Sequence, residues 1–195
     1  MPEVLYGRNP VLEALRAGRS LRRLLLLPGL EPDRRLEEVL RRADSAGVKA
    51  EVASRSQLND VSHSLHHQGL AAYFDRRQLP NREALRLQVG AAPPGWPPLF
   101  ICLDGVQDPQ NLGALARSAE GLGASALVLS PHRNAPLSPA AVKASAGALE
   151  HLEVIRVSNL VQSLEELKQL GLTVLGLAPE GERAGHEVDL RGPLA

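Results

Sequence analysis

Residues 99–129 read LFICLDGVQDPQNLGALARSAEGLGASALVL, and this stretch decides the fold of the second half of the chain. The apolar run LFICL that opens it and the apolar run ALVL that closes it are typical of buried strands. Between them, Asp108 and Pro109 make a natural helix start, and apolar residues recur at helical spacing over 109–122. The stretch therefore predicts a strand, a helix and a second strand.

The same alternation continues after this stretch. Helical spacing predicts helices over 139–149 and 160–170, and short apolar runs predict strands over 154–157 and 173–177. Strict alternation of strands and helices favours a parallel sheet that is covered by helices on both faces. We therefore expect residues 99–195 to form an α/β domain with a parallel sheet.

The first 75 residues predict a smaller α/β unit. Its predicted strands are 21–27, 48–52 and 70–74, and its predicted helices are 9–17, 33–46 and 56–61. Five prolines then gather where the periodicity weakens, which is typical of a semi-rigid linker. The predicted organisation is a first domain over 1–75, a linker over 76–98 and a second domain over 99–195.

The net charge of the 195 residues is zero, but the charges are unevenly distributed. Up to Gly90 the chain has 15 lysines and arginines against 11 acids, whereas the remainder has 7 against 11. Arginine suits phosphate because its planar guanidinium can donate two parallel hydrogen bonds. The asymmetry fits a first half that binds nucleic acid, and it fits ordinary solvated helix faces equally well.

Composition also bears on the cellular setting. The apolar runs fall well short of the roughly 20 residues that span a bilayer, and the first residues do not resemble an export signal. The single cysteine, Cys102, excludes a disulfide within the chain and fits a reducing compartment. We therefore expect a cytoplasmic protein without a membrane partner. His66 and His67 lack further ligands at metal-binding spacing, so we predict no metal site.

The usual nucleotide-binding signatures are missing from the chain. It has no G-x-x-x-x-G-K-[ST] phosphate loop, and no G-x-G-x-x-G follows the strand at 99–103. Instead, Gly113, Arg117 and Gly121 share one face of the helix that follows this strand. Arg117 should project near the strand ends, where a doubly wound sheet normally binds its ligand. The alternative is an ordinary solvated arginine.

This segment resembles a known motif. The run over 104–119 is similar to the first motif of the SpoU class of RNA methyltransferases, whose members carry N-x-G-x-x-x-R after a strand. Asn111, Gly113 and Arg117 match that motif in register. Further on, VKASAGALE at 142–150 resembles the segment that follows the third position of the same sheet in those enzymes.

The amino-terminal half shares the resemblance. YGRNPVLEAL at 6–15 and HQG at 67–69 are similar to the substrate-binding domain that precedes the catalytic domain in the ribosomal RNA members of the family. That domain resembles a small ribosomal-protein RNA-binding fold. The resemblance thus implies a small RNA-binding α/β domain joined to a parallel-sheet, knotted methyltransferase domain of the SPOUT type.

The resemblance also implies an activity. The family transfers a methyl group from S-adenosylmethionine to a ribose 2′-hydroxyl. The amino-terminal domain favours ribosomal RNA of the large subunit, with guanosine as the expected nucleoside, and a homodimer is expected at full length. By the same resemblance, Arg117 activates the hydroxyl and Asn111 orients Arg117 or the ribose. Because arginine rarely loses its proton, we expect Arg117 to bind the adjacent phosphate and let that group or a water accept the proton.

One departure from the family pattern is important. Two downstream family motifs, a G-x-E-G-x-G-like turn and a proline-rich strand leading to S-L-N-V-S, are not found before Ala195. We therefore expect an incomplete methyltransferase domain, cofactor-binding residues beyond Ala195 and no activity of the 195-residue chain alone. The alternative is a truncated RNA-binding protein without methyltransferase activity.

The remaining candidate residues concern RNA. Gly113 would let the RNA backbone or the cofactor approach. The other predicted RNA contacts are Arg8, Arg22, Arg23, His67 and Gln68. Lys143 is either an exposed helix cation or a site residue, and Glu150 either pairs with a basic residue or belongs to the site.

Overall fold

The computed structural model describes residues 2–195 and groups them into two compact units. The first unit combines residues 2–78 with two later segments, 109–117 and 137–151. The second unit contains the segments 79–108, 118–136 and 152–195. The predicted domains follow the order of the chain instead, and their boundaries stay a prediction.

Seven strands and eight α-helices form within residues 2–195. The strands are β1 (Glu3–Tyr6), β2 (Leu21–Leu26), β3 (Ala50–Val52), β4 (Leu70–Phe74), β5 (Phe100–Leu103), β6 (Ala126–Leu129) and β7 (Val154–Arg156). The helices are α1 (Arg8–Arg16), α2 (Arg34–Ser45), α3 (Arg55–Ser62), α4 (Ala84–Gly90), α5 (Pro109–Gly121), α6 (Pro139–Ala144), α7 (Ala148–His151) and α8 (Leu160–Gln169). A short 3₁₀ helix follows at Gly185–Glu187. Within this described part, no helix has both the length and the apolar character needed to cross a membrane.

The sheet of the first unit has the strand order β1-β4-β2-β3. Strand β4 is antiparallel to both β1 and β2, whereas β2 is parallel to β3. A core cluster forms around Leu25, Leu58 and Ala71. Strand β1 was not predicted, because four residues with only two aliphatic side chains, Val4 and Leu5, give too short a pattern. Pairing with β4 adds this strand to the sheet.

Local capping signals set the starts of two helices in this unit. Asp33 precedes α2, and its carboxylate accepts a hydrogen bond from the amide of Leu36 at 2.8 Å. Ser54 precedes α3 and forms a reciprocal capping box with Gln57. These caps satisfy amide groups that a helix start would otherwise leave without a partner.

The second unit contains a parallel sheet with the strand order β5-β6-β7, which confirms the predicted parallel α/β arrangement. Its buried core includes Phe100, Val128 and Ile155 from the three strands, and Leu167 from α8. Leu85 of α4 is fully buried in the same cluster. The predicted linker therefore contains helix α4, and Leu85 of this helix packs into the core of the second unit. The surrounding prolines obscured this helix in the sequence.

Two predicted elements differ in the structure. The helix expected over 139–149 is interrupted, because Ala146 and Gly147 have positive φ values of 54° and 99° and separate α6 from α7. The strand expected over 173–177 is wrong. Thr173 forms an isolated bridge to Leu194, which also bridges to Leu99, and Leu175 donates to the Ala195 carbonyl at 2.8 Å, but no regular strand forms over 173–177. Periodicity could not reveal this, because the pairing depends on contacts distant in sequence.

Candidate functional site

The loop between β5 and α5 is fixed by one side chain, Asn134. Its amide nitrogen donates to the carbonyls of Leu103 at 3.0 Å and Ser130 at 2.9 Å. Its amide oxygen accepts from the backbone of Val106 at 2.8 Å, and Ala135 donates to the Val106 carbonyl at 2.7 Å. Asn134 therefore holds together the carboxyl ends of β5 and β6. Asn134 was not predicted from the sequence, although asparagine in a turn often hydrogen-bonds nearby backbone groups.

Arg117 lies on α5 and is exposed. Within residues 2–195 its guanidinium makes no ion pair or hydrogen bond, so all its donors are available to a ligand. Asn111 is also exposed on α5. The two residues are six positions apart, which places them about 120° apart around the helix. The structure shows no hydrogen bond between them within the described residues, so the predicted role of Asn111 in orienting Arg117 stays a prediction.

Gly113 is buried where α5 packs against α6. A Cβ atom at this position would lie 2.5 Å from the Cβ of Ala144 and 2.7 Å from the carbonyl oxygen of Ala141 and the amide nitrogen of Ser145. The glycine therefore allows the two helix backbones to approach closely. This packing explains the residue in the structure, and the predicted RNA contact at Gly113 stays untested.

The two residues whose roles were left open, Lys143 and Glu150, both have protein partners. The Lys143 ammonium donates to the carbonyl of His66 at 3.1 Å and lies 5.7 Å from the centre of the Tyr6 ring. Glu150 is buried and forms an ion pair with Arg19 at 3.2 Å. Burial raises the pKa of Glu150, and the nearby cation of Arg19 opposes that shift.

Arg8, His67 and Gln68 are brought together at the start of α1. The Arg8 guanidinium pairs with Asp33 at 2.6 Å, and the Arg8 amide donates to the side-chain oxygen of Gln68 at 2.9 Å. Gln68 is exposed and has a positive φ of 54°. Arg8, Gln68 and their neighbours line a polar cavity of about 330 Å³.

His67 is only 2% exposed, so its ring contacts protein. Its Nδ1 accepts a hydrogen bond from the Gly69 amide at 2.9 Å, and its Nε2 lies 3.1 Å from the side-chain oxygen of Asn59. Since a backbone amide can only donate, Nδ1 carries no proton and the ring is neutral. Burial, together with the nearby charge of Arg55, lowers its pKa. His67 thus orders the loop that presents Gln68, and a direct RNA contact by its ring stays untested.

Arg22 and Arg23 lie on β2 and are occupied by carboxylates. Arg22 makes two hydrogen bonds to Asp75, at 2.6 and 2.8 Å. Arg23 makes a similar contact with Glu51 at 2.6 Å and lies 5.7 Å from the centre of the Tyr73 ring. Both pairs are exposed, and exposed pairs contribute little to stability. A phosphate group can therefore compete for either arginine.

Metal binding and nucleophilic attack by a thiol are the two other kinds of chemistry considered for the described residues. No group of three or more histidine, cysteine or acidic side chains within residues 2–195 could hold a metal ion. Burial raises the pKa of the Cys102 thiol to about 12, so this thiol stays protonated at neutral pH and is a poor nucleophile. Arg117 on α5 is exposed in the structure, and its catalytic role stays a prediction.

Comparison with known proteins identifies the family. The model of the SpoU rRNA methylase family matches residues 98–195, and the model for RNA 2′-O ribose methyltransferase substrate binding matches residues 4–80. An uncharacterized tRNA/rRNA methyltransferase of Synechocystis is 34% identical over 98% of this chain and 50% of its own length. A protein of the same description from Mycobacterium leprae is 35% identical over 99% of this chain and 62% of its own length.

A solved structure shows the same fold. The SpoU methyltransferase of Streptomyces viridochromogenes, in complex with the cofactor AdoMet, has a TM-score of 0.77 and 20% identity, and the match covers 99% of this chain and 71% of that one. The chain spans between half and two thirds of the length of the two curated relatives. Since a family model covers half of its residues and matches the N-x-G-x-x-x-R segment on α5, the chain belongs to the SpoU rRNA methylase family.

Proposed function

We propose that this protein is an RNA 2′-O-methyltransferase that uses S-adenosylmethionine as its methyl donor. The observation that carries the proposal is Arg117, which is exposed and unpaired within residues 2–195, in the N-x-G-x-x-x-R segment that follows a parallel strand. Family membership supports methyl transfer, and the match over residues 4–80 supports an RNA substrate. The Streptomyces relative in complex with AdoMet supports the choice of donor.

Arg117 acts on the RNA in this proposal. A ribose 2′-hydroxyl is a poor nucleophile, so it must lose its proton as it attacks the methyl group. The guanidinium stays protonated and donates two parallel hydrogen bonds to the phosphate beside the target ribose. That phosphate, or a water held next to it, then accepts the proton. Asn111 offers an amide that can hydrogen-bond the ribose from the same helix.

S-adenosylmethionine supplies the methyl group, and its sulfonium carries a positive charge. The first unit forms two cavities. The larger, of about 720 Å³, has Arg19, Arg22, Arg41 and Arg42 and no acidic residue among its described lining residues, whereas the smaller has Arg8 and Arg35 together with Asp33, whose carboxylate is already paired with Arg8. Neither cavity fits the cofactor, because clustered arginines repel a cation. No step of the proposal therefore runs through these cavities.

The substrate that we propose is ribosomal RNA of the large subunit, methylated on a guanosine. Arg22 and Arg23 in the first unit are exposed arginines that suit phosphate contacts. The Arg8 side chain is 20% exposed and pairs with Asp33, and Gln68 beside it is an exposed hydrogen-bonding side chain. The relatives carry the broader description tRNA/rRNA methyltransferase, which includes this substrate. We also propose a cytoplasmic location and a homodimer.

The experiment that tests the function maps methyl groups on RNA. The protein from its complete reading frame would be incubated with labelled S-adenosylmethionine and either large-subunit ribosomal RNA or transfer RNA. We expect label in the ribosomal RNA, at a single nucleoside whose ribose resists alkaline cleavage. Label on a base or in transfer RNA alone would contradict the proposed position or substrate.

The second candidate is an RNA-binding protein without methyltransferase activity. The poor fit of both cavities to the cofactor favours it for residues 1–195. Titration calorimetry separates the two functions, since the enzyme binds both RNA and S-adenosylmethionine, whereas the second candidate binds RNA alone. Cofactor binding by the protein from the complete reading frame, without binding by residues 1–195, would support the enzyme and place its cofactor site outside these residues.

A further inference from the structure

The first compact unit includes residues from both halves of the chain. Its segments 109–117 and 137–151 come from the region matched by the methylase model, whereas its segment 2–78 comes from the region matched by the substrate-binding model. The helix segment that carries Arg117 is therefore in one unit with the proposed RNA-binding residues. The contacts between these segments are therefore what can link RNA binding to the position of Arg117.

The centre of this contact is the buried ion pair between Arg19 and Glu150. The Arg19 side chain is 10% exposed and that of Glu150 is 3% exposed. The guanidinium of Arg19 contacts both carboxylate oxygens of Glu150, at 3.2 and 3.3 Å, and also pairs with Glu3 at 2.6 Å. It lies 5.2 Å from the centre of the Phe74 ring. Breaking a buried pair of this kind is costly, because it leaves an uncompensated buried charge.

Further contacts surround this pair. His151 lies 2.7 Å from the carboxylate of Glu13 on α1. Gly147 has a positive φ of 99°, and the side chain of Glu13 occupies the space that a Cβ atom at Gly147 would need. The break between α6 and α7 is thus shaped to fit α1. These contacts give the segment 137–151 a defined position against residues 2–78.

The segment 137–151 in turn holds α5. Gly113 packs directly against the backbone of Ala141 and Ser145 and against the Cβ of Ala144 in the α6 region. Because interiors packed this closely transmit small shifts, a displacement of α6 must move the first turns of α5. Arg117 lies one helical turn beyond Gly113.

Asp75 connects this network to a proposed RNA contact. Its carboxylate pairs with Arg22 at 2.6 Å, and its backbone carbonyl accepts from Arg19 at 2.9 Å. A phosphate that binds Arg22 displaces the Asp75 carboxylate and so changes the surroundings of Arg19. Coupling between sites requires an element with two arrangements, and exchange of the Asp75 carboxylate for a phosphate at Arg22 would supply them.

We propose that Arg19 and Glu150 are positioning residues that couple RNA binding by residues 2–78 to the orientation of α5 and Arg117. This inference rests on the proposed RNA-binding function. It assigns a role to a buried pair that touches neither RNA nor the reacting atoms.

Hydrogen exchange on residues 1–195, with and without large-subunit ribosomal RNA, tests the coupling. RNA should slow amide exchange within residues 2–78 and also, by about fivefold, within 109–117 and 137–151. Glu150→Gln keeps the shape of the side chain but removes the charge that Arg19 contacts. This variant should bind RNA within about twofold of the unchanged chain and lose the slowed exchange in 109–117. Asp44→Asn removes an exposed charge from α2 of the same unit and should leave the response intact.

Two outcomes would overturn the inference in different ways. If RNA binds but exchange in 109–117 does not respond, the coupling is wrong and the proposed RNA binding stands. If RNA does not bind at all, the proposed function fails together with the inference. Should Glu150→Gln fold poorly, Glu13→Gln weakens the contact of Glu13 with His151, together with its exposed pair with Arg16, and should weaken the response partially. In the protein that methylates, Glu150→Gln should lower kcat while leaving KM for RNA nearly unchanged, and a change in KM alone would contradict a positioning role.

Discussion

The arginines of β2 and the arginine of α5 differ in whether they have an acidic partner. Arg22 and Arg23 each face a carboxylate across the sheet surface, whereas Arg117 has no partner within residues 2–195. An exposed ion pair contributes little to stability, so each β2 arginine can exchange its carboxylate for a phosphate. We therefore propose that RNA affinity is shared among several replaceable arginines, whereas the chemistry depends on Arg117 alone.

The largest expected effect comes from disturbing the helix that carries Arg117. Gly113→Val places side-chain atoms where Ala141, Ala144 and Ser145 already lie, so we expect a loss of about 1–3 kcal/mol in the free energy of unfolding. Gly121→Ala is the matched control, since a Cβ atom there meets nothing within 4 Å. Because Gly121 is the last residue of α5, this substitution should change the free energy of unfolding by less than the roughly 1 kcal/mol that separates glycine from alanine inside a helix. Urea denaturation measures the free energy of unfolding of both variants. An unchanged free energy of unfolding in Gly113→Val would show that α5 and α6 are not tightly packed.

The next effect tests whether affinity is shared among the arginines. Replacing Arg8, Arg22 and Arg23 together by glutamine should weaken RNA binding by about 10- to 100-fold at low salt, because three phosphate contacts are lost. The slope of log affinity against log salt concentration should also become shallower by about 2–3. Arg86→Gln, which removes an exposed arginine paired with Glu166, is the control. Filter binding at several salt concentrations gives the values, and an unchanged salt dependence would show that these arginines do not contact phosphate.

A smaller effect concerns the loop that presents Gln68. In the folded state His67 is neutral and its pKa is lowered, so as pH falls the unfolded chain takes up the proton first. Stability should therefore fall as pH drops below the ordinary histidine value of about 6.5. His67→Asn should flatten that slope between pH 7 and 5. His66→Asn, at an exposed neighbour, serves for comparison. Equal slopes for the unchanged chain and His67→Asn in thermal unfolding would contradict the neutral, buried ring.

The smallest effect involves Glu38 of α2, which pairs with Arg16 of α1 and Arg42 of α2. Hydrogen bonds from Arg16 and Arg42 lower the pKa of Glu38 from 4.5 to about 2. Ionised Glu38 therefore stabilises the fold above pH 4.5, and this contribution is lost as pH falls towards 2. Glu38→Gln should remove that part of the pH dependence, whereas Glu37→Gln should not. An unchanged acid transition in Glu38→Gln would show that the pairs with Arg16 and Arg42 do not form in solution.

Much of this arrangement was predictable from the sequence, and the reasons for the failures are physical. Strands β5 and β6 are unbroken apolar runs, and Pro109 marks the start of α5, so local signals were sufficient there. The break at Ala146 and the contribution of Asn134 depend on backbone groups that only the fold brings together. The sequence motif located Arg117, but the sequence could not show which arginines form ion pairs with carboxylates.

The partners of the β2 arginines illustrate this limit. Arg23 meets Glu51 only because β3 lies parallel to β2, and Arg22 meets Asp75 only because β4 ends beside the start of β2. Both acids are distant in the chain, and neither occupies a recognisable motif. Counting charges over the first half of the sequence therefore indicated an excess of arginine, but it did not show which of these arginines form ion pairs.

The most direct test of the account compares Arg117→Ala with the unchanged protein from its complete reading frame, in single-turnover methyl transfer at saturating RNA. We expect the rate to fall by at least about 100-fold, with RNA affinity and cofactor affinity nearly unchanged, because Arg117 acts mainly in the transition state. Arg117→Lys should recover little of the rate, since an ammonium cannot reproduce the planar guanidinium. Near-normal turnover by Arg117→Ala would contradict the account, because the chemistry would then depend on another residue.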